Sequence, residues 1–106
     1  MANLVQENLE KFQHFFKSAH SKGVLDEKTK QLMHIALVIA MRCEPCAILS
    51  IEKGRRMGIS DEELDEAIQL AASVGAGTIL AMGERAKTAA DKSHHWWEKG
   101  KSCDIC

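Results

Sequence analysis

The residues with the most evident chemistry are two cysteines bracketing a glutamate and a proline, Cys43-Glu44-Pro45-Cys46. Cysteines three apart can close a small disulfide ring where the chain turns into a helix. The unpaired N–H groups and positive dipole end of a helix start stabilise a thiolate and lower the thiol pKa. Pro45 stiffens the ring and removes a competing donor. The thiolate is the attacking species, so the arrangement suits thiol–disulfide exchange or attack on a peroxide. Burial as two small apolar side chains is the bland alternative. A second pair with the same spacing, Cys103-Asp104-Ile105-Cys106, ends the chain. It allows three readings: a four-cysteine zinc site with Cys43 and Cys46, a mobile redox relay, or a terminus without a role. His94 and His95 stand beside Trp96 and Trp97. Neighbouring helical residues point about 100° apart, so the two histidines do not readily share a metal. The tryptophans suit packing against a helix or another subunit. His34 could carry a proton near Cys43, or be a satisfied, partly buried histidine.

These residues need helices to hold them. Leu4, Val5, Leu9, Phe12, Phe16 and Ala19 keep helical spacing, with Glu7, Glu10, Lys11 and His14 opposite, and Gly23 marks the stop. A second helix is expected from about Asp26 to Arg42. Leu32, Ile35, Ala36 and Ile39 form one apolar face and Met33, Leu37, Ala40 and Met41 another, leaving a narrow polar stripe through Gln31, His34 and Arg42. A helix this apolar should sit centrally or be covered by another subunit. A third helix begins at the cysteine pair and runs to about Met57, before Gly58. Ser60-Asp61-Glu62-Glu63 reads as a capping box for a fourth helix, with Leu64, Ala67, Ile68, Ala71, Ala72 and Gly75 facing inward. The acidic run from Asp61 to Glu66 suits a solvated helix start. Gly75-Ala76-Gly77 lacks the strand and spacing of a phosphate loop and is expected to break the helix. A fifth helix should then run from Thr78 to near Trp97, and the tail from Lys99 onward is expected to be flexible.

The 106 residues predict one domain, and at this size folding hides only roughly 65% of the unfolded surface. With 45% hydrophobic residues the chain is not disordered, and with 27% charged residues it is not a membrane bundle. One proline and abundant Ala, Leu, Ile, Met, Glu and Lys favour an all-α fold of about five helices. The net charge of −1 supplies no basic field for nucleic acid or an anionic membrane, so neither partner is expected. No basic segment with a long apolar run stands at the N-terminus, which leads to the expectation of a cytoplasmic protein with reduced cysteines.

The order of these motifs resembles a known family. Leu25-Asp26-Glu27-Lys28-Thr29-Lys30-Gln31-Leu32-Met33, the apolar helix, Cys43-Glu44-Pro45-Cys46, Gly58, and Ser60-Asp61-Glu62-Glu63-Leu64-Asp65-Glu66-Ala67 together resemble the carboxymuconolactone decarboxylase family. The cysteine pair is similar to that of its alkylhydroperoxidase D-like branch. The resemblance spans about residues 25–85. It implies a helical fold assembled as a ring-like homo-oligomer, commonly a hexamer, with no cofactor and no metal. It also implies a peroxide or disulfide substrate and a thiol electron donor. By that resemblance Cys46 attacks the peroxide and Cys43 resolves the sulfenic acid as a disulfide.

The family places a glutamate twelve residues before the first cysteine and a histidine four after the second. This sequence has Gln31 and Ser50 there, neither a ready base at neutral pH. Gln31 and His34 are three apart and share a helix face, so His34 is expected to replace the missing base while Gln31 and Ser50 orient water or substrate. Two other readings stand beside this one: an oligomeric module whose cysteines sense redox state or bind a metal, and a carboxymuconolactone decarboxylase-type enzyme.

Overall fold

The computed structural model describes residues 3–93. Helix α1 spans Leu4–His20, α2 Glu27–Ala40, α3 Glu44–Arg56 and α4 Asp61–Ser93. The all-α expectation holds, with four helices and no strand among the described residues. The expected fifth helix is absent as a separate element, because α4 runs through Gly75-Ala76-Gly77 without a break. A helical glycine costs about 1 kcal/mol relative to alanine, which weakens a helix but does not end one. No positive φ is found there, and the Thr78 hydroxyl donates to the Gly75 carbonyl at 2.8 Å, inside the helical frame. The remainder of the expected fifth helix, with His94, His95, Trp96 and Trp97, lies outside the described residues. So do Cys103, Cys106 and the tail.

Each helix start has a local cause. The Asn3 side chain accepts from the N–H groups of Val5 and Gln6 at 3.1 and 3.2 Å, and Asp26 accepts from Thr29 N–H at 2.7 Å. Ser60 and Glu63 form the reciprocal capping box, at 3.0 and 3.1 Å. Two helix exits share one hydrogen-bond pattern. After α2, Arg42 N–H donates to Ile39 O and Cys43 N–H to Val38 O. After α3, Gly58 N–H donates to Arg55 O and Ile59 N–H to Gly54 O. Both are Schellman turns, which need a left-handed residue just past the cap. Gly58 supplies it with φ 88°, and Arg42 supplies it with φ 59°.

The chain divides after Ala71 into two units. In the first, Ile35, Ile59 and Leu64 form the buried core, with Leu32, Ile39 and Ile51 packed against them. Burying Ile35 completely contributes about 2–3 kcal/mol. Helices α2 and α3 approach closely at Gly54, where a Cβ would lie 3.1 Å from Ile35 Cδ1 and 3.2 Å from Ile59 Cδ1. The opposite face of α2 is open: Met33 and Leu37 are 49% and 60% exposed. With Leu32, Ala36, Ala67 and Leu70 they line an apolar groove of about 440 Å³. Helix α1 buries none of its residues. By length and composition α4 is apolar enough to cross a membrane, with a mean hydropathy of 1.2 over its most apolar stretch. Leu64 and Ala71 on the same helix are buried, while most of the apolar stretch is exposed.

Candidate thiol redox site

The cysteine pair sits where α2 hands the chain to α3. The left-handed Arg42 turns the backbone so that Cys43, at φ −90° and ψ 93°, becomes the N-cap of α3. Pro45 occupies the first turn, and Cys46 follows it at the third helical position. An N-cap side chain normally accepts from the second or third helical N–H. Here the second position is proline, so Cys46 N–H is the one such donor left to a Cys43 thiolate. In this structure the two sulfurs are bonded to each other, with Cα atoms 5.3 Å apart, and Cys43 makes no cap hydrogen bond. Cys46 is exposed and Cys43 half-buried.

Cys46 lines a cleft of about 330 Å³ together with Gln31, His34 and Ser50, so all four face one space. Cys43 is absent from the lining and reaches the cleft through its partner sulfur. The polar stripe expected on α2 is divided. Gln31 is 3% exposed rather than turned to solvent, and its Nε2 donates to the Ser50 carbonyl at 2.8 Å. Ser50, 5% exposed, donates its hydroxyl to the Cys46 carbonyl. The hydroxyl proton and one amide proton are therefore committed to the α3 backbone. The Gln31 bond ties α2 to α3 beneath the cysteine, and the Ser50 bond stays within α3. Arg42, the third member of the stripe, is exposed at the turn.

His34 is half-buried on the cleft wall. Burial first, and then electrostatic repulsion with His20 and Lys53, hold its pKa below the ordinary imidazole value of 6.5. At neutral pH its free-base form therefore dominates. Its Nδ1 lies 3.0 Å from Nε2 of His20, the last residue of α1, and His20 Nδ1 lies 2.8 Å from the Phe16 carbonyl. The Phe16 ring stacks on His20 at 3.9 Å between centroids and meets His34 edge-on at 6.0 Å. Sequence reasoning missed His20. The available signal is Phe16 and His20 four apart on one face of α1, but the meeting with His34 depends on how α1 crosses α2. Lys30 fixes that crossing by donating to the carbonyls of Ala19 and Ser21 at 3.0 and 2.6 Å.

Among the described residues no three of His, Cys, Asp and Glu gather as a metal site. The arrangement can instead hold a thiol near a neutral imidazole, inside a largely apolar cleft flanked by one lysine.

Residues 6–87 match the model of the carboxymuconolactone decarboxylase family. The chain is 33% identical over 76 residues to "uncharacterized protein 4 in cox locus" of Paracoccus denitrificans, covering 72% of this chain and 68% of that protein. Its fold is similar to a crystal structure from Methanobacterium thermoautotrophicum, with a TM-score of 0.72 and 32% identity over 76% of this chain and 91% of that one. It is also similar to a carboxymuconolactone decarboxylase family protein of Thermotoga maritima for which a part in the antioxidative response has been suggested. There the TM-score is 0.63 and the identity 26%, over 93% of this chain and 99% of that one.

Proposed function

The chain belongs to the carboxymuconolactone decarboxylase family, and from that premise we propose that it is a thiol-dependent oxidoreductase of the alkylhydroperoxidase D-like kind, cycling Cys43 and Cys46 between dithiol and disulfide. The observation that carries this reading is the shared cleft: Cys46, at the start of a helix, lines the same space as a histidine held in its base form. The antioxidative part suggested for the Thermotoga maritima protein supports the same direction.

In this scheme His34 takes the proton of the Cys46 thiol. The thiolate attacks the outer oxygen of a hydroperoxide, the O–O bond breaks, and the leaving oxygen takes the proton back. The products are an alcohol, or water from hydrogen peroxide, and a Cys46 sulfenic acid. The Cys43 thiol then attacks the sulfenic sulfur, forming the disulfide and releasing water. Two electrons from an external dithiol, or from two thiols, return the pair to its reduced form. In that return step an external thiolate attacks Cys46, the exposed sulfur, and Cys43 departs. A Cys43 thiolate at the N-cap, with Cys46 N–H and the helix dipole beside it, is a good leaving group, since lower-pKa thiols leave faster.

Thiol titration of the reduced protein before and after one equivalent of peroxide tests the reading. Peptide mapping should locate a loss of two thiols at Cys43 and Cys46, and Cys46→Ser should abolish the Cys43–Cys46 disulfide product. Thiols that stay unreacted under these conditions would overturn it.

A further inference from the structure

We propose that His20 is a positioning residue of the thiol site: it holds His34 in the tautomer whose Nε2 is a free base, and the two rings together carry one exchangeable proton. The proposal rests on the thiol reading above and adds a residue from a different helix.

The tautomers follow from a chain of contacts that begins at an atom of fixed character. The Phe16 carbonyl can only accept, so His20 Nδ1, 2.8 Å away, carries hydrogen. Neutral His20 then has its lone pair on Nε2, and that atom faces His34 Nδ1 at 3.0 Å. Two lone pairs cannot make this contact, so His34 Nδ1 carries hydrogen and donates. Neutral His34 is left with an unprotonated Nε2, the form a general base requires. This choice is set by an acceptor that belongs to α1. It is made at the last turn of α1, where the Phe16 ring stacked on His20 and the Lys30 clamp on Ala19 and Ser21 fix the ring's place.

The same geometry limits the pair to one added proton. A proton taken by His34 Nε2 leaves the Nδ1–H···Nε2 bond intact and strengthens it. Passing the Nδ1 proton to His20 moves the charge from the cleft to the neighbouring helix. A second proton would set two N–H groups against each other at 3.0 Å and break the contact. The surroundings oppose a second charge as well. Lys53 of α3 borders both rings, and Lys17 of α1 with Lys30 of α2 lines the adjoining cleft on the His20 side, where Glu27 of α2 is the one carboxylate. Cys46, when reduced, is the other titratable group lining the cleft from α3. Three lysines against one carboxylate favour a pair that releases its proton readily. In the reaction the proton leaves the Cys46 thiol, rests on the histidine pair, and returns to the leaving oxygen, so the pair ends as it began.

Ring-nitrogen NMR of the reduced protein at neutral pH tests the tautomer directly. The expected spectrum has His34 with a protonated Nδ1 and a bare Nε2. His20→Phe, which keeps a flat ring on Phe16 but accepts nothing, should return His34 to a mixture of tautomers. It should also slow alkylation of Cys46 at neutral pH by about tenfold and move the midpoint of its pH profile. His20→Gln, whose carbonyl can still accept from His34 Nδ1–H, should restore the tautomer and most of the rate. If His34 keeps its Nδ1–H form in a folded His20→Phe protein, or is found with Nε2–H in the parent, the proposal is overturned. The tautomer measurement needs no peroxide, so it decides this inference whichever way the thiol-loss assay falls.

Discussion

An imidazole held in its base form shares a cleft with a thiol at a helix start, and its part in the chemistry should be visible in a single substitution. His34→Gln keeps a polar side chain of similar reach but no base. Peroxide-driven disulfide formation at pH 7 should fall about a hundredfold, measured as the rate of thiol loss. The same substitution should alter stability with a defined sign. The folded pKa of His34 lies below 6.5, so on acidification the unfolded chain takes the proton first. Parent stability should therefore drop as pH falls through 6.5 toward the folded value, and the variant should lose part of that slope in denaturant titrations at pH 7 and 5. Gln31 makes the complementary case. In Gln31→Glu, the family's residue returns to a buried position that must donate to the Ser50 carbonyl, which only a protonated carboxyl can do. Its folded pKa should rise, so the variant should be less stable by about 1–3 kcal/mol at pH 7. The deficit should shrink as pH falls toward the ordinary carboxyl range. The cysteines and His34 were legible because their chemistry is local: a pair around a proline, and a base one turn from Gln31. The bonding of Gln31 and Ser50 was not legible, because their acceptors are backbone carbonyls of α3. His20 was not legible either, because its partner lies across the α1–α2 crossing.

Helix ends repeat this contrast between local and distant causes. The exits of α2 and α3 have the same hydrogen bonds, yet one places glycine at the left-handed position and the other arginine. An L-residue there costs about 1–2 kcal/mol, against which glycine's extra freedom in the unfolded chain must be set. Gly58→Ala should destabilise by about 1 kcal/mol, and strain is the whole reason, since nothing lies within 4 Å of the added Cβ. Arg42→Gly should stabilise by about 0.5 kcal/mol. Paired chemical denaturation curves read both. The capping box at Ser60–Glu63 and the stop at Gly58 were legible because each is made by neighbours in sequence, and the start of α2 was legible near Asp26 though not as a cap. The continuity of α4 was not, because two glycines weaken a helix without saying whether it survives. Their residues read as a junction until the uninterrupted backbone is seen.

At the scale of the molecule, the first unit leaves much apolar surface uncovered. On α1, Leu4, Val5, Leu9 and Phe12 are between 45% and 77% exposed, and the groove of Met33, Leu37 and Leu70 lies open on α2 and α4. We propose that a second copy of the chain, the occupant the family resemblance implies, covers this surface. Light scattering on the eluting protein should give a multiple of the chain mass. Leu37→Glu, which puts a charge into the groove, should lower that multiple. The two-faced apolar pattern of α2 was legible as a need for cover. The choice between core and neighbour was not, since both give the same spacing. Helix α1, with no residue buried, nevertheless supplies the ring that orients His34. In the language of linkage, anything that holds α1 in place is an effector of the thiol. A neighbouring copy resting on α1 would keep His20 in register, and specific activity would then fall on dilution, by mass action alone.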